Sequence, residues 1–376
     1  MANNNIFDAG IADSQGTSVV PLSPDSFDIE KYADYEAALL EKNRQFWKAD
    51  SGVLVYRRFR VPEVFSYSCK DRELSLSLQL AALEKSMEYK ADIANFLEPW
   101  YGIGTVAAAF GAEYEWPKGQ APGIKAPFKT IAEALEYDVV PIEHTDIGKQ
   151  TLGMIEYFLE KTKGKIPLSL TDIQSPMNVA SEIIDINNFF MSFIDNPEGL
   201  KKLLALISDL LIDFTKKQVH LIGDALVWPG HGFAGSKAFS GLGMSDDTIV
   251  MLSNDYYKEF AAPNMSKIGN HFGGAVFHSC GNWSPKIEGV KAIDNLVMVD
   301  GAFSPETDPD PNPTDSIVSA FSGTGIVVNA RIVGDAGVVK QKINALKKPG
   351  MKLIAVTYCH TPAEQREVYK IIKEAG

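Results

Sequence analysis

From about residue 29 onwards the chain alternates between two hydrophobic patterns. Stretches such as SLQLAALEKSMEYK, TLGMIEYFLEKTK, PEGLKKLLALISDLLIDFTKKQVHLI and DYYKEFAAPNMSKIGNHF carry apolar residues at i, i+3, i+4 and i+7, the spacing of an amphipathic helix. Between them lie short apolar runs at 53–56, 93–97, 167–170, 225–228, 274–277, 296–299, 326–329 and 352–356, which read as strands. Strand alternating with helix predicts an α/β fold with a parallel sheet under a cover of helices. Eight strands favour a closed (β/α)8 TIM barrel over an open sheet. A further helix, over residues 29–49 with Tyr32, Tyr35, Leu39 and Phe46 at helical spacing, precedes the first strand and is expected to lie outside the main fold. Residues 1–25 are polar, rich in small side chains and without period. They read as a loose arm ahead of a single domain over 26–376.

Two segments interrupt the alternation. Residues 104–129 (GTVAAAFGAEYEWPKGQAPGIKAPFK) cluster Gly and Pro and predict an excursion, in hairpin form. Residues 229–247 (PGHGFAGSKAFSGLGMSDD) follow a strand and are too Gly-rich for a helix. A long loop after a barrel strand lies on the catalytic face, where it acts either as a lid or as plain surface.

Composition narrows the setting. The 376 residues carry a net charge of −12, which argues against a surface that tracks nucleic-acid phosphates. No apolar run reaches the roughly 18 residues that span a bilayer, so no membrane association is expected. The opening MANNNIFDAGIADSQGTS lacks the basic and apolar regions of a signal peptide. Three cysteines make no disulfide framework, and the expected location is the cytoplasm, where thiols stay free to bind metal.

The candidate chemistry sits in GGAVFHSCGNW, residues 273–283. Side chains two apart on a strand point the same way, so His278 and Cys280 project together from the strand's C-terminal end, where barrel active sites are built. The last expected strand, in KLIAVTYCHTP, ends in Cys359 on the same open face. One imidazole and two thiols converging from different strands would leave room for a fourth partner, as catalytic zinc does. Spacing alone is not specific, because His-x-Cys arises by chance and a strand cysteine is usually an inert core residue.

From about residue 50 onwards, the pieces HSCGN (278–282), DDTIVMLSNDYYKEFAAPNMSKI (246–268), YCHTPAEQREVYKIIKEA (358–375) and AAAFGAEYEW (107–116) resemble the uroporphyrinogen decarboxylase superfamily. The branch they resemble most holds the zinc-dependent corrinoid methyltransferases of the methylcobamide:coenzyme M type. The resemblance implies a zinc bound by His278, Cys280 and Cys359, a corrinoid carried by a partner protein, and transfer of its methyl group to or from a thiol or methylated small molecule. Two thiolates and a neutral imidazole cancel the dication's charge, and a third sulfur arriving there would lose its proton and stay nucleophilic. The sequence departs from the family at two places. Tyr358 and His360 flank the last cysteine where Gly is common, and Arg57, Arg58 and Arg60 in VYRRFRVPEVFSY differ from the family's propionate-gripping segment, which disfavours uroporphyrinogen as substrate.

Other residues at expected strand ends are candidates of lower specificity. Glu98 is a candidate fourth zinc ligand, against a salt-bridge role. Asp172, Trp228, Asp300 and Asn329 are candidates for lining a substrate pocket, against packing or turn roles. Ser245, Asp246 and Asp247 read as helix caps. His231 reads as a solvent-exposed loop residue, against a contact with substrate, His360 as pointing away from Cys359, and Cys69 as a non-ligand. There is no P-loop, dinucleotide fingerprint or nucleophile elbow. Two competing functions stay open: a metal-free carboxy-lyase of the decarboxylase kind, and a non-catalytic zinc-binding barrel.

Overall fold

The computed structural model describes residues 15–117 and 120–375. Its strands are β1 Gly52–Arg57, β2 Glu113–Glu115, β3 Gly123–Lys125, β4 Leu242–Ser245, β5 Ala275–His278, β6 Leu296–Ala302, β7 Val327–Arg331 and β8 Lys352–Thr357. Six of them pair in parallel in the order β1-β8-β7-β6-β5-β4, and β2 and β3 form a separate antiparallel pair. That pair is the hairpin expected within 104–129.

Three expected strands, at 93–97, 167–170 and 225–228, do not form continuous ladders. They are held by the single parallel bridges Leu97–Leu168 and Leu168–Leu226. Backbone bonds still carry the path round between β1 and β4. The amide of Asp92 donates to Val55 O at 2.8 Å, Leu97 N to Pro167 O at 2.9 Å, Leu168 N to Ala225 O at 2.9 Å, and Gly243 N to Pro229 O at 3.0 Å. Helices cover the outside, as the apolar faces of Ile155, Phe158, Leu203, Leu204 and Val368, all buried, require. The expected α/β barrel is thus borne out, with one side built from single bridges. β4 is a finding, because the sequence reads as loop there. Gly243 is what permits it: a Cβ at that position would stand 2.3 Å from the Phe233 ring.

The N-terminal helix runs Ile29–Lys48, starting where the Asp28 side chain accepts from Lys31 N at 3.0 Å. It crosses the end of the barrel where strands begin, with Trp47 stacked on Phe239 at 4.6 Å between ring centroids. Of the arm expected over 1–25, residues 1–14 lie outside the described residues. Within the remainder, Thr17 N donates to Arg60 O at 2.8 Å and Leu22 N to Ser77 O at 2.9 Å. Among the described residues, no helix is long and apolar enough to cross a membrane.

One buried charge ties this end together. Asp92, 1% exposed, accepts from Val55 N at 2.8 Å and Tyr369 Oη at 2.7 Å, and pairs with Lys373 at 2.7 Å and Lys42 at 2.5 Å. Burial pushes its carboxyl up, but the bonds from Lys373 and Lys42 outweigh that and hold it below the usual carboxylate value. A depressed folded value means that its stabilisation is complete above the ordinary carboxylate range and is lost as pH falls through the folded value. Asp92→Asn should therefore cost about 2 kcal/mol near neutrality, discounted because Lys42 and Lys373 still reach water. Denaturant titrations at pH 7 and pH 3 check this, and an equal loss at both would refute it.

Candidate active site at the barrel mouth

Sheet register builds the site. Ser245 pairs with His278, His278 with Asp300, and Asp300 with Asn329 across β4, β5, β6 and β7. Directly paired residues of a parallel sheet share a face, so this row lies together near the C-terminal strand ends. His278 Nδ1 stands 2.6 Å from Asp300 Oδ2, which also accepts from Arg331 Nε at 3.0 Å, while Asn329 Nδ2 donates to Asp300 Oδ1. Asp300 is 1% exposed. Burial raises its carboxyl, yet Arg331 and His278 more than offset that and bring it down to about 2. Burial likewise lowers His278, and the bonds to Asp300 and Cys280 reverse this and push it up to about 10.

With Nδ1 occupied by a carboxylate, Nε2 faces Cys280 Sγ at 3.7 Å. The Asp247 carboxylate joins them: among the described residues, Asp247, His278 and Cys280 form the group whose ligand atoms lie within 4.8 Å of one another. A nitrogen and a sulfur on one tetrahedral zinc stand about 3.5 Å apart at ordinary bond lengths. The observed separation and the carboxylate behind the imidazole therefore suit such an ion. Local chemistry fixes the loop that presents Cys280. Its amide donates to Asp247 Oδ1 at 2.6 Å, and the next amide, of Gly281, donates to Asp308 Oδ2 at 2.7 Å. Gly281 has φ +71°, a left-handed conformation natural to glycine. Trp283, fully buried, donates its indole N–H to Asp300 O at 3.0 Å.

The group opens onto a cavity of about 1070 Å³, lined also by Arg58, Phe65, Trp100, Asp172, His231 and Phe233. Residues 48–308 of the chain match the family described as uroporphyrinogen decarboxylase (URO-D). The chain belongs to the uroporphyrinogen decarboxylase family. Among solved structures, a methyltransferase from Methanosarcina mazei shares the fold with a TM-score of 0.61 at 15% identity, over 90% of this chain and 97% of that one. A search of curated proteins gave no match.

The remaining candidates in this family member divide sharply. Asp172 and Asp300 line the cavity. Asn329 is buried behind Asp300 and acts on the cavity only through it. Trp228 is not among the lining residues and packs toward Phe272 at 6.1 Å. Glu98 stands apart from the Asp247–His278–Cys280 group. It is 7% exposed, stands 3.0 Å from His231 Nδ1 and 3.7 Å from Arg58 Nη2, and accepts from Gly232 N at 3.1 Å. Burial raises it, and His231 and Arg58 bring it down to about 2.

Cys359 is also outside the group. Its backbone carbonyl accepts from Arg57 Nε at 2.8 Å, and its buried thiol is pushed up to about 12, chiefly by burial. Cys69 is buried in the core, with its thiol likewise up to about 12 by burial.

Sequence reading missed the role of Asp247 and assigned His231 first to solvent. Asp247 does not cap a helix with its side chain but holds the Cys280 amide, while Asp246 accepts from Thr248 and Tyr257 hydroxyls at 2.8 and 2.9 Å. The signal available was two acids directly after an apolar run, the place where barrel chemistry collects. His231 is drawn into the cavity rather than solvent, its side chain 15% exposed.

Proposed function

We propose that this chain is a zinc-dependent methyltransferase, carrying a methyl group between a corrinoid on a partner protein and a thiol or methylated small molecule. The observation that carries this reading is the His278–Cys280–Asp247 group, with Asp300 behind the imidazole, facing a cavity large enough for a substrate. Family membership and the methyltransferase among the similar structures support it. When bound, zinc would depress the pKa of a substrate thiol and keep that sulfur nucleophilic at neutral pH.

The chain's own residues do the rest. Asp300 fixes the His278 ring so that Nε2 is the free ligand atom, and Arg331 and Asn329 fix Asp300. Asp247 holds the Cys280 amide and stands ready as the third ligand, whereas Cys359 would serve only if its segment turned the thiol toward the group. Cys280 is exposed at the mouth, open to a corrinoid protein docking there.

The test is elemental analysis of the purified chain together with thiol-dependent loss of methylcobalamin, read by its absorbance. About one zinc per chain and turnover with a thiol are expected. A chain without zinc that converts uroporphyrinogen to a less carboxylated porphyrinogen would replace this reading with the carboxy-lyase one. Zinc without turnover of either kind would leave a binding protein. Asp300→Asn should weaken zinc binding about 10–100-fold in chelator competition, as removal of a carboxylate behind a ligating histidine does.

A further inference from the structure

The helix Ile186–Asp195 is apolar on two sides, and Asp195 is its one charged residue. Toward the core, Phe189 and Phe193 are buried, and Phe193 packs against Phe260 at 5.0 Å and Tyr256 at 5.4 Å. On the outer side Ile186, Met191 and Ile194 are 45%, 50% and 68% exposed. A helix apolar all round belongs in an interior, yet among the described residues nothing covers this outer side.

The uncovered face does not stop at the helix. Val250 and Met251, in the turn Asp247–Met251, are 43% and 61% exposed, and Tyr256 is 36% exposed. Ile186 and Met251 also line the cavity. The apolar surface therefore starts at the rim of the site and runs outward along the helix. Single exposed apolar side chains are ordinary, but six on adjoining segments mark a surface that another molecule covers.

Its edges carry one sign of charge. Asp185, Asp195 and Asp255 are exposed there, whereas Lys201 is paired with Glu198 and Glu259, and Lys258 with Glu288. An occupant needs an apolar centre with basic residues round it. A second copy of this chain would set acid against acid and rim against rim, closing the way to Cys280. A corrinoid that stays on its own protein reaches the His278–Cys280–Asp247 group only where that protein rests on the rim.

We infer that the face formed by Ile186, Met191, Ile194, Val250, Met251 and Tyr256 is the docking surface for the protein that carries the corrinoid. That partner meets it with an apolar patch edged by lysine or arginine. The inference rests on the methyltransferase reading and adds to it where the partner sits and what chemistry it presents.

The experiment uses the zinc-loaded full chain, 2-mercaptoethanol as acceptor, and two methyl donors. One is free methylcobalamin, and the other is the methylated corrinoid protein purified from the source cells by its cobalamin absorbance. The double variant Met191→Glu, Ile194→Glu should raise KM for the protein-bound donor about 10-fold or more, as damage to the centre of an interface does. Its kcat, zinc content and turnover of free methylcobalamin should be unchanged. Val20→Glu, at a site 85% exposed on the N-terminal segment, should change nothing. Asp195→Lys should raise the same KM, and an unchanged or lowered value would overturn the basic edge and the inference with it.

An unchanged KM in the double variant, or a rise as large in Val20→Glu, would overturn the inference and leave the methyltransferase reading standing. So would a wild type that sediments as a dimer and a double variant that does not, since the face would then hold a second copy. No turnover of free methylcobalamin by the wild type would remove that reading and the inference together. Should the double variant not fold, hydrogen exchange of the wild type decides. The corrinoid protein should slow exchange over residues 186–195 and 250–256, and no slowing there overturns the inference.

Discussion

Cys280→Ser is expected to leave the purified protein with little zinc and no measurable methyl transfer. The reason is geometric. His278 Nε2 and Cys280 Sγ stand 3.7 Å apart, and a serine oxygen there is both a harder donor and a far weaker acid than a thiol. Loss of a ligand should exceed the 10–100-fold that follows loss of its hydrogen-bond partner. The third ligand is decided by a pair of variants. Asp247→Asn should weaken zinc binding and Cys359→Ser should not, if the carboxylate within 4.8 Å of the other two is the donor used. The opposite result would show that the segment after β8 delivers its thiol when the ion arrives.

Zinc affinity should also rise with pH. With His278 pushed up to about 10 in the absence of metal, a proton competes for the ligand below that value and is released on binding. Elemental analysis, chelator competition and proton release each read this out. Full zinc content in both the Cys280 and Asp247 variants would remove the site.

The barrel class and the His-x-Cys pair were legible in the sequence because both are local signals. A helix shows its face at a period of 3.6, and two residues on one strand share a side whatever surrounds them. What was not legible was set by partners remote in the chain. β4 reads as loop because it lies in a Gly-rich stretch, yet the missing side chain of its one glycine, Gly243, is what lets Phe233 close over the strand. Segments 93–97, 167–170 and 225–228 carry strand-like sequences, but the bonds that hold them are single bridges, and no local pattern distinguishes those from ladders.

The same limit applied at the site. Asp247 followed a capping pattern, and only the return of residue 280 to its side chain gives it another role. His231 sits among glycines that suggest solvent, while Glu98 and Asp172, both distant in sequence, draw it inward. For Cys359 the strand end was legible, but the side on which its buried thiol rests was not, because Arg57 from β1 takes hold of its backbone.

Trp283→Ala should destabilise the fold by about 3–5 kcal/mol, the range for deleting a large buried aromatic, and weaken zinc binding at the same time. The indole is fully buried, packed edge-on against Phe277 at 5.3 Å and Phe321 at 6.2 Å. Its N–H satisfies the carbonyl of Asp300, whose side chain orients His278, and its backbone amide donates to Asn312 Oδ1 at 3.1 Å. Asn312 in turn donates to Gly281 O at 3.1 Å, so the ring and the backbone of this one residue tie the Cys280 loop to β6 and to Asn312.

Trp283→Phe separates the two effects. It keeps most of the buried ring and loses only the hydrogen bond, so it should cost about 1 kcal/mol. Against a total stability of about 5–15 kcal/mol, the alanine variant would be marginal and the phenylalanine variant sound. Calorimetry and zinc titration on both variants decide the point. If Trp283→Phe holds zinc as tightly as the wild type while Trp283→Ala does not, packing rather than the indole bond sets the geometry of the loop. If both retain wild-type affinity, the ring supports the barrel wall and has no part in presenting Cys280.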